Sequence, residues 1–430
     1  MFVLTVITLI TLAEVALSYF SSGCASFPVT GSGADNRGAV ASMDARCSKA
    51  GVDILELGGN AADAAITVEF CLGAIGMYST GIGGGGVALV RDAQGHYDFL
   101  DFRETAPVAS TENMFKGNVN ASLWGGLASH RYRIHGCGLP SGGAVALNIL
   151  SVLKGYDGVG DASNVNLTTH RLDEAMRFGY GLRTDLGDPD FDVGLQSYQQ
   201  IMLSKDTASD IRSRISDDHT QPLSVYNPKG LEVIGTHGTS HLSVADSSGL
   251  AISLTSTINL PFGSHLMVPE TGIILNNEMN DFSIPRDANM FGEKPSSVAN
   301  YPQPDKRPLS SMNPILVDFA ANGSFYAALG AQGSERIITS VVQTLWYLLD
   351  RKMGLFEALR APRLHEQLSP NQTSYEWEYD NSTVAFMEER GHITAWLQDG
   401  SSVQAVRRLP NGTFEAAGES RQRDLGGFAV

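Results

Sequence analysis

A threonine hydroxyl is a weak nucleophile unless a base stands beside it. One base always within reach is the residue's own α-amine, which is free only when the chain is cut immediately before it. Gly238-Thr239 is a pair at which this can happen, because glycine lets the backbone take the strained geometry a hydroxyl needs to attack its own upstream carbonyl. Standing alone, the pair reads as a turn. Arg103 follows a strand-like run and carries the side chain suited to gripping a carboxylate through two parallel hydrogen bonds; standing alone, it reads as a surface ion-pair residue. Glu278 and Asp281 read in the same bland way as solvated loop acids. Gly81, Gly83 and Gly86 in GIGGGG have the spacing of a dinucleotide fingerprint. That motif follows a strand and opens a helix, whereas here a helix comes before and a strand after, so a tight turn with close backbone approach is the better reading.

The elements around these residues fall into two styles. Asp44 and Asn60 are N-cap candidates for helices over 44–57 and 61–76, the first stopped by Gly58-Gly59. The second helix is Ala-rich and apolar nearly all round, which predicts burial on most sides. Residues 86–91 and 97–102 alternate about a turn and read as a hairpin that delivers Arg103. Helices are expected over 142–156 and 168–183, followed by a polar connector with an exposed stretch at 205–238. From Thr239 the pattern turns to period two, in HLSVAD, LAISLTSTIN, GIILNN, PILVDF and SFYAALG, which predicts a sheet. An amphipathic helix from Ser334 and a shorter one at 355–361 follow. Helices before and after a run of antiparallel strands predict a layered helix–sheet–sheet–helix build.

The bulk properties narrow the function. The chain has 430 residues, 43% of them hydrophobic, with 46 glycines and a formal net charge of −16. A charge of that sign without basic runs excludes binding by phosphate neutralisation, so no nucleic-acid partner is expected. The first residues form an apolar run leading into SSGCAS, so residues 1–26 read as a signal peptide or an N-terminal anchor. Glu14 interrupts that run and would cost roughly 3 kcal/mol at a bilayer centre, which favours cleavage. Sequons begin at Asn120, Asn166, Asn322, Asn371, Asn381 and Asn411; together with the apolar start they point to the secretory pathway, with an extracellular, cell-surface or vacuolar destination. Such an oxidising compartment permits a bridge between Cys47 and Cys71, which would staple the first two helices. Cys137 is left over as a buried thiol. No CxxC or Cys/His ligand spacing occurs, so no metal or other cofactor is expected.

Residues 238–283 resemble the start of the small subunit of gamma-glutamyltranspeptidases. With KRPLSSMNP (306–314) and GAQGSERI (330–337) the likeness covers the C-terminal half, and GGNAADAA, GIGGGG and RETAP match in order before it. The resemblance implies a four-layer αββα Ntn-hydrolase sandwich in which Thr239 is the nucleophile and also the residue of self-cleavage after Gly238. It implies that Thr257 supports the amine and hydroxyl of Thr239, and that Arg103, Ser310 and Ser311 hold the α-carboxylate of a glutamyl group. Asn259, Glu278 and Asp281 would then receive its α-ammonium, and the backbone N–H groups of Gly333 and Ser334 would form the oxyanion hole. A zwitterionic head independently calls for a cation on one side and carboxylates on the other, and an oxyanion calls for fixed N–H donors.

Three departures from the family pattern stand out. Asn280 occupies a place where an acid is common, and Ser334 one where a second glycine is usual. After Gly125–Ser129 the family continues with a GVPGE-type segment and a long helical region, whereas this chain passes directly to HRYRIHGCGLPSGG. The difference is on the order of a hundred residues or more, a domain-sized amount. The expected organisation is therefore a large subunit over 27–238, truncated near 129–135, and a small catalytic subunit over 239–430, paired as a heterodimer cut from one precursor. Glutathione and other γ-glutamyl compounds are the implied donors, and amino acids, dipeptides or water the acceptors. A different Ntn amidase, such as a cephalosporin acylase, and a catalytically impaired homologue are the rival readings.

Overall fold

The computed structural model describes residues 30–32, 36–106, 125–128, 132–231, 239–283, 297–397, 400–419, 421 and 426–430. Residues 1–26, Gly238 and the sequon at Asn120 lie outside them. In chain order the elements are β1 (Thr30–Ser32), β2 (Gly38–Ser42), α1 (Ala45–Glu56), α2 (Ala61–Ile75), β3 (Gly85–Arg91), β4 (Tyr97–Asp101), β5 (Gly125–Ala128), β6 (Tyr132–Gly136), α3 (Gly143–Leu153), α4 (Val165–Arg183), α5 (Gly194–Met202), α6 (Lys205–Arg214) and α7 (Leu223–Tyr226). Then follow β7 (Ser240–Asp246), β8 (Ala251–Thr257), β9 (Ile315–Phe319), β10 (Phe325–Gln332), α8 (Arg336–Leu345), α9 (Leu355–Arg360), β11 (Leu364–His365), β12 (Thr373–Glu376), α10 (Asn381–Glu388), β13 (Thr394–Leu397), β14 (Ser402–Arg408), β15 (Phe414–Ala417) and β16 (Gly426–Ala429).

Two sheets are stacked between helices. One has the order β16-β2-β7-β8-β3-β4 and the other β1-β15-β14-β10-β9-β6-β5, with every pairing antiparallel. Their facing sides interleave Ala41, Leu89 and Ala245 with Leu316, Phe325, Ala328 and Val406. α1 and α2 cover the outer face of the first sheet through Val52, Leu55, Ala64 and Val68. α3 and α8 cover the second through Val145, Ile149 and Val341, and α4, whose Met176 joins the same core, packs on α3. This is the αββα sandwich the sequence led us to expect. No helix among the described residues is long and apolar enough to cross a membrane.

Local chemistry explains the outer helices. Asp44 caps α1 by accepting from the Arg46 N–H, and Asn60 with Asp63 forms a reciprocal capping box on α2. Cys47 and Cys71 are joined as a disulfide between these helices, and Cys137 is a buried thiol.

Four expectations need correction. α2 is not buried on most sides: Ile66 and Phe70 are 58% and 64% exposed on its outer face. The connector after residue 183 is not a plain exposed link, because α5 and α6 turn Leu195, Met202, Ala208 and Ile211 into the core. Those apolar residues are few and set among charges, so the helical period is weak in the sequence. GIILNN makes only an isolated bridge between Met267 and Ile274; its asparagines are drawn off to Gly83 and Ile258 by backbone hydrogen bonds of 3.2 and 3.3 Å. The long helix begins at Arg336, two residues after Ser334, and passes into a π-helical turn over Trp346–Asp350.

The sequons differ in accessibility. Asn322 and Asn411 sit at exposed hairpin turns, each accepting the N–H of the Ser or Thr two residues on. Asn371 and Asn381 are exposed, whereas Asn166 is half-buried and accepts the Thr383 hydroxyl at 2.7 Å.

Candidate active site

The sheet register gathers the chemistry at one end of the first sheet. Ser240 pairs with Ser256 across β7 and β8, and Thr257 pairs with Gly85 across β8 and β3. Thr239, one residue before β7, therefore stands at the same end as Thr257 and the glycine turn. That turn must be glycine. A Cβ on Gly83 would lie 1.9 Å from the Ile274 carbonyl oxygen, and one on Gly84 would lie 1.9 Å from that of Thr257. The second sheet contributes Gln332 and Gly333 at the end of β10, and Thr239 and Gly333 line one cavity of about 380 Å³ with Tyr78, Ser401 and Arg421. A larger cavity of about 750 Å³ beside α4 and α10 is lined by neither Thr239 nor Arg103.

Among the described residues the histidine nearest in sequence to Thr239 is engaged elsewhere. His241, two residues on, is buried between the sheets and hydrogen-bonds Thr255 and Ser243 at 2.9 Å. Burial lowers its pKa to about 3, and its ring fills the space where a side chain on Gly330 would lie. Its role is packing.

Gly333 and Ser334 both have positive φ, 126° and 63°. The Gly333 position is closed to any side chain, since a Cβ would come within 2.6 Å of the Ser401 Cβ. Ser334 holds a left-handed conformation that costs a non-glycine residue about 1–2 kcal/mol, which gives a physical reason for a glycine there. Replacing it by glycine relieves that strain but adds about 0.5–1 kcal/mol of chain entropy to lose on folding. Ser334→Gly is therefore expected to stabilise the fold by up to about 1 kcal/mol, whereas Gly333→Ala destabilises it and closes the cavity. Denaturant melts of the two variants check this, and a destabilising Ser334→Gly would contradict it.

Arg103 is reached by a different set of contacts. It follows β4, and the chain beyond it is tied down by hydrogen bonds between Ala106 and the Asp305–Lys306 backbone of 2.9 and 2.7 Å. Its Nη1 lies 2.5 Å from Glu278 Oε2 and its Nη2 2.6 Å from Asp281 Oδ2, all buried. Glu104 approaches the same guanidinium at 3.6 Å. Three acids thus share one cation at close range. Burial raises the pKa of Glu278, Asp281 and Glu104, the last to about 8, helped by the Glu278 charge. Burial opposes the Arg103 charge, but Glu278 and Asp281 outweigh it and hold the guanidinium firmly protonated. The expected separation, arginine on one side and acids on the other, is not the resting arrangement: the two groups are paired directly.

The remaining residues are anchored around that cluster. Asn259 has φ 71°, donates its backbone N–H to Thr257 Oγ1 at 2.7 Å and its side-chain amide to the Asn277 carbonyl at 3.1 Å. Ser310 donates its N–H to the Pro140 carbonyl, and its hydroxyl accepts the Met312 N–H. Ser311 Oγ accepts from Arg183 Nη2 at 3.1 Å. Asn300 is wholly buried, donating to the Asp281 carbonyl and accepting the Leu309 N–H, so it ties the acid turn to the serine segment. Reading the sequence missed Arg183, Asn300 and Glu104. Only Glu104, inside RETAP, carried a signal.

Comparison with known proteins follows this geometry. The Gamma-glutamyltranspeptidase family profile matches residues 47–130 and 126–427. The chain belongs to the gamma-glutamyltranspeptidase family. A glutathione hydrolase proenzyme of Arthroderma benhamiae is 37% identical over 543 aligned positions, covering 91% of this chain and 93% of that protein. A glutathione hydrolase of Aspergillus flavus is 33% identical, covering 91% and 89%. Among solved structures, a cephalosporin acylase from Bacillus halodurans superposes with a TM-score of 0.75 over 94% of this chain and 98% of its own, at 17% identity; at that identity the likeness shows the fold alone. This gamma-glutamyltranspeptidase-family chain matches its profile in two blocks that meet at 126–130, where the sequence departs from the family pattern.

Proposed function

We propose that this chain transfers or hydrolyses γ-glutamyl groups through Thr239. One observation carries the reading. Glu278 Oε1, Asp281 Oδ1 and Asn259 Oδ1 are buried acceptors without a hydrogen-bond partner, set around one guanidinium that three acids approach. Buried acceptors that outnumber the donors around them call for a group with several N–H donors, and an amino acid's α-ammonium is such a group. Arg103, Ser310 and Ser311 would then take the neighbouring carboxylate, with Arg183 fixing the Ser311 hydroxyl: an arginine only donates, so Ser311 Oγ accepts from it and its own proton is left for the substrate. The Thr239 hydroxyl attacks the γ-carbonyl with its α-amine as base, aided by Thr257. The Gly333 and Ser334 N–H groups receive the oxyanion; its collapse breaks the γ-amide bond, and the departing amine takes the proton held by the Thr239 α-ammonium. The γ-glutamyl ester left on Thr239 is then resolved by water or an amino-acid acceptor, which frees the hydroxyl again.

The named substrates of the fungal relatives support glutathione as a donor. Maturation would cut Gly238-Thr239 to give subunits 27–238 and 239–430, and the bridged Cys47 and Cys71 suit passage through a secretory lumen. We also propose that the large subunit lacks a segment near 129–135. The alignment of 543 positions to a chain of 430 residues supports this, as does the split profile.

Substrate discrimination tests the reading. The enzyme should release aniline from a γ-glutamyl anilide at least about 100-fold faster than from the glutaryl anilide, which lacks only the α-amine. Arg103→Ala should raise KM for the γ-glutamyl substrate by a factor matching about 2–3 kcal/mol. Arg103→Lys should restore only part of it, because an ammonium cannot reproduce the planar two-bond grip. Equal use of the two anilides would favour the acylase-type alternative.

A further inference from the structure

We infer that His170, Glu174 and His392 form a site for one zinc-class divalent cation, apart from the Thr239 centre and independent of the reaction assigned to it. His170 and Glu174 lie one turn apart on α4, so both face the same way. His392, between α10 and β13, comes from the other half of the chain. All three are buried, and one donor atom from each lies within 4.8 Å of the others.

The donor logic at these atoms calls for a cation. His170 Nε2 is 2.7 Å from the Ser216 carbonyl oxygen, an acceptor only, so that nitrogen carries the hydrogen and Nδ1 presents a lone pair. His392 Nδ1 is 3.0 Å from Asp173 Oδ2, an ion-pair contact without the geometry of a hydrogen bond; the carboxylate charge beside it favours the hydrogen on Nδ1 and leaves Nε2 facing inward. The inward nitrogens are 2.9 Å apart. Two lone pairs cannot face each other at that distance without a positive charge between them. A proton satisfies two nitrogens, but a carboxylate is also present: Glu174 Oε1 lies 3.9 Å from His392 Nε2.

Metal bonds of about 2.0–2.1 Å at tetrahedral angles set neighbouring donor atoms about 3.3 Å apart. Two of the separations, 2.9 and 3.9 Å, fall on either side of that value, and all three donor atoms lie within 4.8 Å of one another, so side-chain adjustment on binding would complete three protein ligands, with water as the fourth. The outer contacts are those a bound ion needs to orient its ligands. Ser216 and Asp173 hold the far sides of the rings, and the Thr220 and Tyr226 hydroxyls each donate to Glu174 at 2.6 Å. Two imidazoles and one carboxylate select zinc-class ions over magnesium or calcium. Arg177 is directed elsewhere, against Glu366 at 3.3 Å and over the Tyr226 ring.

The test is metal titration of the full chain after chelator treatment and dialysis at pH 7.5. Zn²⁺ read against a chromophoric competitor should bind at one equivalent, unaffected by excess Mg²⁺ or Ca²⁺, and Co²⁺ should give the visible absorption of a tetrahedral site. His170→Gln and His392→Gln should each weaken binding at least 100-fold, and Glu174→Gln at least tenfold. Because a buried-histidine variant can fail to fold, the Co²⁺ spectrum and a Zn²⁺-dependent rise in Tm of the unaltered chain stand as separate readouts. Absence of stoichiometric uptake by the unaltered chain would mean that the charge between the rings is a proton, and the proposal falls. Unchanged affinity in a folded His170→Gln, His392→Gln double variant overturns it equally.

Discussion

Thr239→Ala is expected to leave one uncut chain and to reduce γ-glutamyl turnover by at least about 10³-fold, the scale on which removal of a nucleophile acts. Both losses come from one atom, because the hydroxyl that would attack the Gly238 carbonyl during maturation later attacks the substrate. The observations behind this are the place of Thr239 at the head of β7, in the cavity it shares with Gly333, and the engagement of His241 elsewhere. A denaturing gel and N-terminal sequencing of the smaller fragment decide it: in the unaltered protein that fragment begins at Thr239. A start at another residue, or residual cleavage in the variant, removes Thr239 from the mechanism. Thr239→Ser separates the two steps, since a serine retains both hydroxyl and amine and should restore cleavage with reduced turnover.

The second large effect concerns the segment we propose to be absent near residues 129–135. The chain as it stands is expected to turn over a γ-glutamyl anilide at least tenfold more slowly, and to melt at lower temperature, than a version carrying the corresponding segment from a fungal relative. Catalytic groups must be held to about 0.5 Å, and the outer face of α2 leaves Ile66 and Phe70 in contact with solvent. The expectation has one limit set by the fold. α3 loses nothing, since Ala144 to Leu150 are all buried. Equal turnover and equal melting in the two proteins would show the segment dispensable to fold and chemistry alike.

The sequence made some of this legible and hid the rest for physical reasons. Period-two runs located β7 to β10, because strands buried in a sandwich alternate or run apolar over their whole length. Thr239, Thr257, Glu278 and Asp281 could be read because their spacing is local and falls within long motifs. Arg183 and Ser311 are 128 residues apart, and His170 and His392 are 222; spacing of that kind carries no signal until the chain is folded. The direct pairing of Arg103 with Glu278 and Asp281 was hidden for another reason. The roles were assigned for a bound zwitterion, whereas in its absence opposite charges buried together find one another. On the proposed roles, substrate entry would exchange these ion pairs for new ones, and part of the binding energy would offset the opening of contacts the protein already makes.

The order of strands sets a condition on how such a two-chain protein can be made. In the six-stranded sheet, β2 lies between β16 and β7, and β8 lies between β7 and β3; segments from either side of Thr239 alternate through hydrogen-bonded ladders. Severing the peptide before Thr239 would therefore free an end without freeing a piece. The same weave argues against assembly from two separately synthesised polypeptides, because each alone would display open strand edges prone to pairing with the wrong partner. Continuity up to the proposed cut would serve as a template, with the break coming only after every strand has found its neighbour.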